Sequence, residues 1–411
     1  MQAERFGCAV LALCGTSLAA ADLDSVQIHG FVSQGYYRTT QTGWYGDSDG
    51  GGSFEFTEVA LNASAQPVDG LRVGVQLMAR DFGDAGDNRV EVDWAFADWR
   101  AASRSGIKVG RFKMPYGLYN ESRDLDFDHA TVFLPQVVYL PQLRDYTLAL
   151  NGGMLYGGVD LGGGGQFDGS LFGGSQNIRE EGDLADYLTE LGSGDTFSSI
   201  SIDFIAGAEL TWQMPVDGLR MRLSGVGFWN FESVGHTEGQ ELQPGVYADL
   251  DITTSVEQFF SGIASIEYQR SGLTLAAEYL REYGRSETDA VAHPYTYIAN
   301  PFLPGSQLRV ELPASTTHVS SYQLTEAMYA AASYRLLDKL ELSVSRQLRF
   351  ADRHHPGASY DRTWAFAARY DIFSNWLVKA EWQQHSGSEI DTGNDDPDSW
   401  NLFALKTTVD F

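Results

Sequence analysis

Segment after segment of this chain alternates apolar and polar residues with a period of two. After Ala21 no stretch is apolar for the roughly 20 residues that a membrane-spanning helix needs. Side chains of a strand project to opposite faces, so such a pattern gives one apolar and one polar face. Leu71, Val73, Val75, Leu77 and Ala79 alternate with Arg72, Gly74, Gln76, Met78 and Arg80. Ile202, Phe204, Ala206, Ala208, Leu210 and Trp212 fall on one side, against Asp203, Gly207, Glu209, Thr211 and Gln213. Met221, Leu223, Gly225, Gly227 and Trp229 oppose Arg220, Arg222, Ser224 and Asn230. The chain closes on Phe403, Leu405, Thr407, Val409 and Phe411 set against Leu402, Ala404, Lys406, Thr408 and Asp410.

Further segments of this kind start near Val26, Phe54, Arg89, Ile107, Met154, Gln166, Val256, Leu273, Tyr322, Leu340, Asp361, Trp376 and Asp398. They predict about sixteen strands, an even number that suits a barrel whose chain ends meet. The links alternate in length. Pro67-Val68-Asp69-Gly70-Leu71-Arg72 recurs as Pro215-Val216-Asp217-Gly218-Leu219-Arg220, a tight turn with glycine where positive φ is needed. Other short links fall at 103–106, 162–165, 270–272, 337–339 and 372–375. Long links separate them at 39–53, 82–88, 113–146, 174–199, 232–254, 286–320, 352–360 and 387–397. Short periplasmic turns on one rim and long extracellular loops on the other are the pattern of an outer-membrane barrel. With no apolar helix, only a closed barrel satisfies every backbone polar group in lipid. The fold class expected is therefore all-β, a transmembrane antiparallel β-barrel.

The N-terminus agrees with export. Residues 1–21 combine Arg5, a short apolar stretch and small residues at Ala19 and Ala21, as in a cleaved signal peptide, leaving 22–411 as one barrel domain. Both cysteines, Cys8 and Cys14, lie in the leader, so no disulfide or thiolate metal site is expected in the remainder. A soluble β-sandwich would share the leader and the alternation. It does not account for Tyr36, Trp94, Trp99, Trp212, Trp229, Phe231, Tyr283, Trp364, Trp376, Trp382 and Trp400, which mostly fall near strand ends, where interfacial girdles form.

Charge is concentrated in the long links. The net charge is -27, and most of the excess acid lies in the predicted extracellular loops, where it raises the local concentration of cations. Asp47 and Asp49, and Asp391, Asp395 and Asp396, are the acidic groupings nearest to a metal site, but neither has the ligand spacing of a calcium loop. No cofactor is expected. The acidic surface also argues against nucleic acid as a partner and suits cation bridges to lipopolysaccharide beside the surrounding outer-membrane lipid.

The link 113–146 is the third long one and carries the most functional content. Phe127, Val132, Phe133, Leu134, Val137, Val138, Tyr139 and Leu140 supply an apolar anchor for a loop folded into the lumen. Lys113, Glu121, Arg123, Asp124, Asp126 and Asp128 would then form a pore constriction, with Arg123 and the three aspartates facing water. Arg72, Arg80, Asp93, Glu209, Arg220 and Arg222 fall on inward strand faces and are the expected lumen wall.

The run Val109-Gly110-Arg111-Phe112-Lys113-Met114-Pro115-Tyr116-Gly117-Leu118 resembles the segment that leads into the third loop of bacterial porins of the phosphate-selective (porin O and P) type and their relatives. The resemblance implies a homotrimer of water-filled 16-stranded channels with a constricting third loop, assembled by machinery that reads a terminal aromatic such as Phe411. Those porins line their path with lysine and arginine, whereas this chain has 28 basic against 55 acidic residues. The expected function is passive diffusion of small hydrophilic solutes or ions with a weak cation preference. The alternatives are an anion- or phosphate-selective porin and a non-conducting structural or adhesin barrel. An outer-membrane enzyme is not expected, because the eight histidines are scattered without a serine or aspartate signature.

Overall fold

The computed structural model describes residues 26–40, 46, 48–83, 85–86, 88–141, 143–190, 192–299, 306–357, 359–387 and 399–411. The signal-peptide assignment to 1–21 lies outside them. Seventeen strands follow one another: β1 (Gln27–Thr39), β2 (Phe56–Val68), β3 (Leu71–Phe82), β4 (Glu91–Arg100), β5 (Gly106–Lys113), β6 (Ala149–Asp160), β7 (Gln166–Ser175) and β8 (Thr196–Gln213). Then come β9 (Leu219–Gln243), β10 (Val246–Arg270), β11 (Leu273–Ala299), β12 (Gln307–Glu311), β13 (Ser315–Leu337), β14 (Leu340–Phe350), β15 (Tyr360–Phe373), β16 (Trp376–Ser386) and β17 (Ser399–Asp410). Sixteen of them close an antiparallel barrel. The exception is β12, which pairs only with the end of β11 at Tyr295–Ala299, while β11 pairs with β13 in the ring.

Closure is made by β1 and β17, in register from Phe31↔Asp410 to Thr39↔Leu402. Phe411 completes the seam by exchanging 2.9 Å backbone hydrogen bonds with Gly30. No edge strand is left in the ring, so no row of backbone donors faces lipid. Along β17 the alternation sorts as the sequence implies: Phe403, Leu405 and Phe411 are exposed outside, and Leu402, Ala404, Lys406 and Thr408 are buried inside. The repeated turns place Gly70 at φ 77° and Gly218 at φ 82°. A Cβ on Gly218 would lie 2.0 Å from the carbonyl oxygen of Gln269, so only glycine fits that turn.

Aromatic rings form a row on the outer wall. Phe204, Trp229, Phe260 and Tyr283, on four successive strands, have neighbouring centroids 5.9, 5.6 and 5.3 Å apart. Toward the short turns, Phe167 stacks on Trp212 at 5.4 Å. Two such levels on an apolar exterior are the interfacial girdles of a membrane barrel.

Two regions differ from expectation. The long links 232–254 and 286–320 are largely strand, because β9, β10, β11 and β13 run 23 to 27 residues each and continue past the upper aromatic row. Their polar, charged residues read as loop in isolation, but cross-strand partners supply the backbone bonds that make them a sheet. At the row itself the alternation shifts: Ile202 is buried inside although Phe204 is exposed outside. Asp203 and Asn230 drop out of the pairing between Ile202↔Phe231 and Phe204↔Trp229, with Asn230 at φ 55° and donating to Asp203 at 2.9 Å. Such irregularities re-aim side chains, so the expectation that Ile202 and Phe204 share a face fails there.

Candidate functional site

The chain between β5 and β6, which ends in the short helix α1 (Arg144–Thr147), crosses the barrel interior. Its entry is built by the motif that resembles the porin segment. Gly110 has φ 120° and lets β5 pass close to Ala95, while the Arg111 side chain donates to the carbonyl of Asp93 at 3.1 Å. Tyr116 hydrogen-bonds Ser261 on β10. The Gly117 N–H donates to Ser224 Oγ at 2.9 Å, and Arg222 Nη1 donates to the Gly117 carbonyl at 2.8 Å. Gly117 has φ 61°, and a Cβ there would lie 2.3 Å from the Tyr139 hydroxyl. The motif thus specifies a tight entry rather than a solute contact.

Wall carboxylates hold the loop by its donors. Glu278 on β11 accepts from the Leu118 N–H at 2.7 Å, Ser265 at 2.6 Å, Tyr139 at 2.6 Å and Tyr329 at 2.8 Å. Glu381 on β16 accepts from the Val132 and Phe133 N–H groups at 2.6 and 3.1 Å. Wall cations hold its acceptors. Lys379 and Lys406 lie 3.0 and 2.8 Å from Asp126, and Thr408 donates to it at 2.6 Å. Arg369 donates to the Phe127 carbonyl at 2.6 Å and Arg349 to that of Val137 at 3.1 Å. At the loop's own root, Asp124 takes Lys113 at 2.7 Å and Arg144 at 2.9 Å, and Arg144 also reaches Asp93 at 3.0 Å.

These contacts correct one expectation. Asp124 and Asp126 do not face lumen water; they are 6% and 4% exposed and paired with cations. Arg123 donates to the carbonyls of Tyr139 and Leu140 at 3.1 and 2.7 Å. Of the expected constriction residues, Glu121 and Asp128 are the exposed ones. The reason is confinement: a carboxylate brought beside wall ammonium and guanidinium groups pairs with them, and heights along the barrel axis are not written in the sequence. Burial alone would raise the Asp124 carboxyl, but Arg144 and then Lys113 hold it well below the usual range. Asp126 is lowered likewise, with Lys379 and Lys406 overcoming burial. Burial pushes the ring of His129, in the same loop, well down, with Lys379 adding to the effect.

Among the apolar anchors, Val132, Phe133, Leu134, Val137, Val138 and Tyr139 are buried, and Phe127 and Leu140 are half-buried. Phe133 stacks on Phe56 at 5.5 Å and tilts against Phe82 at 5.6 Å, tying the loop to β2 and β3. The expected wall residues divide. Arg72 is exposed on β3, whereas Asp93 joins the loop-root cluster. Arg220 pairs with Glu267 at 2.7 Å, and Arg222 lies 3.4 Å from Glu209 and 3.6 Å from Glu121. Arg80 pairs with Asp183, a residue not singled out in the sequence. Asp49 is exposed, and Asp47, Asp391, Asp395 and Asp396 lie outside the described residues. Among the described residues no group of three or more His, Asp or Glu is placed to hold a metal.

Two cavities border the loop. One of about 440 Å³ lies on the short-turn side, lined by Asp128, Glu267, Gly272, Arg335, Arg369 and Glu381 among others. A smaller one of about 70 Å³ lies between the loop and β2–β3. It is lined by Arg80, Arg123, Arg144 and Lys406 and by Glu58, Asp124 and Asp126, with His129, Phe133 and Leu134 shared between the two cavities. The barrel interior is thus crossed by a segment with two charged cavities beside it, the smaller against β2–β3 and the larger toward the short turns.

No family model matches the sequence, and no curated protein matches it. Solved structures do match. The outer-membrane-expressed OmpT of Vibrio cholerae superposes with a TM-score of 0.55 at 12% identity, covering 94% of this chain and 97% of that one. An anion-selective porin from Comamonas acidovorans gives 0.55 at 12%, over 94% and 99%. The outer membrane channel DcaP of Acinetobacter baumannii gives 0.51 at 12%, over 94% and 97%. The fold is that of the porins. At such identities the likeness concerns architecture alone.

Proposed function

We propose that this chain is an outer-membrane porin of a Gram-negative bacterium, a passive diffusion channel for small hydrophilic solutes or ions. The reading is supported by a closed barrel crossed by the third loop, with the smaller charged cavity between loop and β2–β3 read as the opening and the larger polar one as the vestibule below it. Homotrimers, contacts with lipopolysaccharide, recognition of Phe411 by assembly machinery and a cleaved leader belong to the same proposal. A Vibrio cholerae OmpT structure described as a trimer form, at 13% identity, supports the first of these.

The sign of selectivity follows from how charge is paired. Around the small opening Arg80, Arg123, Arg144 and Lys406 face Glu58, Asp124 and Asp126, and Asp183 pairs with Arg80. The opening is close to neutral, which disfavours a dedicated phosphate path and leaves weak selectivity. The preference for cations that we propose then resides in the acidic mouth and the exposed Glu121 and Asp128, not in Asp124 or Asp126. Single-channel currents in planar bilayers test this, with a salt gradient giving the reversal potential. Absence of current would remove the channel reading, and a strong anion preference would favour the anion-selective alternative.

Catalysis is not part of the proposal. The arrangement nearest to a hydrolase is His385 with Thr363 and Asp361. Both partners reach the same ring nitrogen, Nδ1, at 2.8 and 3.1 Å, while Nε2 meets Gln383 at 2.7 Å. A relay needs hydroxyl and carboxylate on opposite nitrogens, and this ring is buried against Trp400 at 3.9 Å.

A further inference from the structure

The segment between β7 and β8 also turns inward, and the porin reading does not require it. Its helix α2 (Asp183–Glu190) carries Leu184, Ala185 and Leu188 on one face. All three are buried in an apolar cluster with Val137 and Leu134 of the third loop and Phe172, Ile200 and Ile202 of the wall. Three polar attachments fix the path of this segment. Gln176 donates to the carbonyls of Tyr146 and Ala149, each at 2.6 Å, at the exit of the third loop. Arg179 then meets Glu91 on β4. Finally Asp183, 2% exposed, meets Arg80 on β3, a lining residue of the small opening. The segment therefore runs from β7 across the inner side of β4 and is tied at Asp183 to a residue that lines the smaller cavity.

We infer that α2 is a second constricting element and that Asp183 is its positioning residue, holding the helix at the opening and neutralising Arg80. The inference rests on the channel reading. Two physical consequences follow from the pairing. Removing Asp183 takes from α2 the carboxylate that meets the buried Arg80 guanidinium, so the helix loses this attachment to β3. It also makes the net charge beside the opening more positive by one, where confinement strengthens the field on passing ions.

The experiment uses the folded full-length protein and two readouts. Position of α2 is read from maleimide labelling of Ile200→Cys, a buried site in the same apolar cluster; the described residues contain no other cysteine. Passage is read from single-channel conductance and from liposome swelling with sugars of increasing size. In Asp183→Ala we expect labelling to accelerate at least tenfold, conductance to rise about twofold, larger sugars to enter and the reversal potential to move toward anions. Replacement of residues 180–192 by a short Gly-Ser linker should enlarge the same effects, and Asp183→Glu should restore both readouts toward the parent values. Accelerated labelling with unchanged passage would overturn the inference while leaving the channel reading intact. Unchanged labelling in Asp183→Ala would overturn the positioning role. No current from the parent or from any variant would instead remove the channel reading, with labelling still deciding the anchor.

Discussion

Single side chains decide how the lumen is divided. Asp126 receives Lys379, Lys406 and Thr408 from β16 and β17, so its carboxylate joins the loop to the wall beside the closing seam. Removing one member of a buried pair costs about 3–5 kcal/mol. Asp126→Asn should therefore lower the thermal midpoint of the folded barrel, read by heat-modified gel mobility, and make single-channel currents noisy as residues 126–133 loosen. Lys379→Met in the same background should recover part of the loss, since both partners of one contact are then gone. At Gly117 a methyl group would face the Tyr139 hydroxyl at a positive φ. Gly117→Ala is expected to cost more than ~1 kcal/mol and to weaken the Glu278 bonds beside it, seen as faster proteolysis within 114–148. The lowered carboxyl of Asp124 fixes the pH sense of the loop root. Its contribution is present above the unfolded value near about 4 and is lost only as pH falls through the depressed folded value. Loop protection from protease should accordingly persist through mild acid, and its loss at pH 5 would contradict the pairing.

Elements carry the next level of organisation. The sheet extension of β9, β10 and β11 beyond the aromatic row continues for roughly 45–50 Å of strand at about 3.3 Å per residue. It is stitched by outward ion pairs: His236 and His293 both reach Asp251, at 2.8 and 3.1 Å. The hydrogen bond to Asp251 raises the His236 ring above its ordinary value. A raised imidazole stabilises the extension below the unfolded value near about 6.5 and loses that contribution as pH rises through the folded one. Histidine resonances should show His236 titrating above an exposed reference, and Asp251→Asn should return it; an unshifted parent resonance would count against the pair. Legibility differed between elements. Short turns and the barrel strands were readable because glycine at positive φ and period-two alternation are local properties. The extension was not, since its polar strands depend on partners far along the chain. Helix α2 left a faint trace, Leu184, Ala185 and Leu188 at helical spacing within an acidic link, too short to separate from loop.

At the scale of the whole molecule, closure by β1 and β17 makes every wall strand interior, and Phe411 lies at the seam with its backbone bonded to Gly30. Deletion of Phe411 removes these two bonds and the terminal aromatic together. It should reduce folded protein in the outer membrane severalfold, read by the heat-modifiable gel band, with unchanged yield arguing that the terminus is not read during assembly. Charge acts at this scale too. Replacing Glu121 and Asp128 by Gln and Asn should move the reversal potential toward anions without lowering the thermal midpoint, because both are exposed. The sequence by itself determined the class: alternation, the alternating link lengths and the lack of an apolar helix leave a closed barrel as the way to satisfy the backbone in lipid. It also marked residues 113–146 as the segment to follow, through apolar anchors and charge placed in one link. Only the tertiary structure decided which charges remain free. Asp124 and Asp126 were legible as acids but not as partners of Arg144, Lys379 and Lys406, because pairing depends on which residues of distant strands share one height in the lumen, and that is a property of the closed ring.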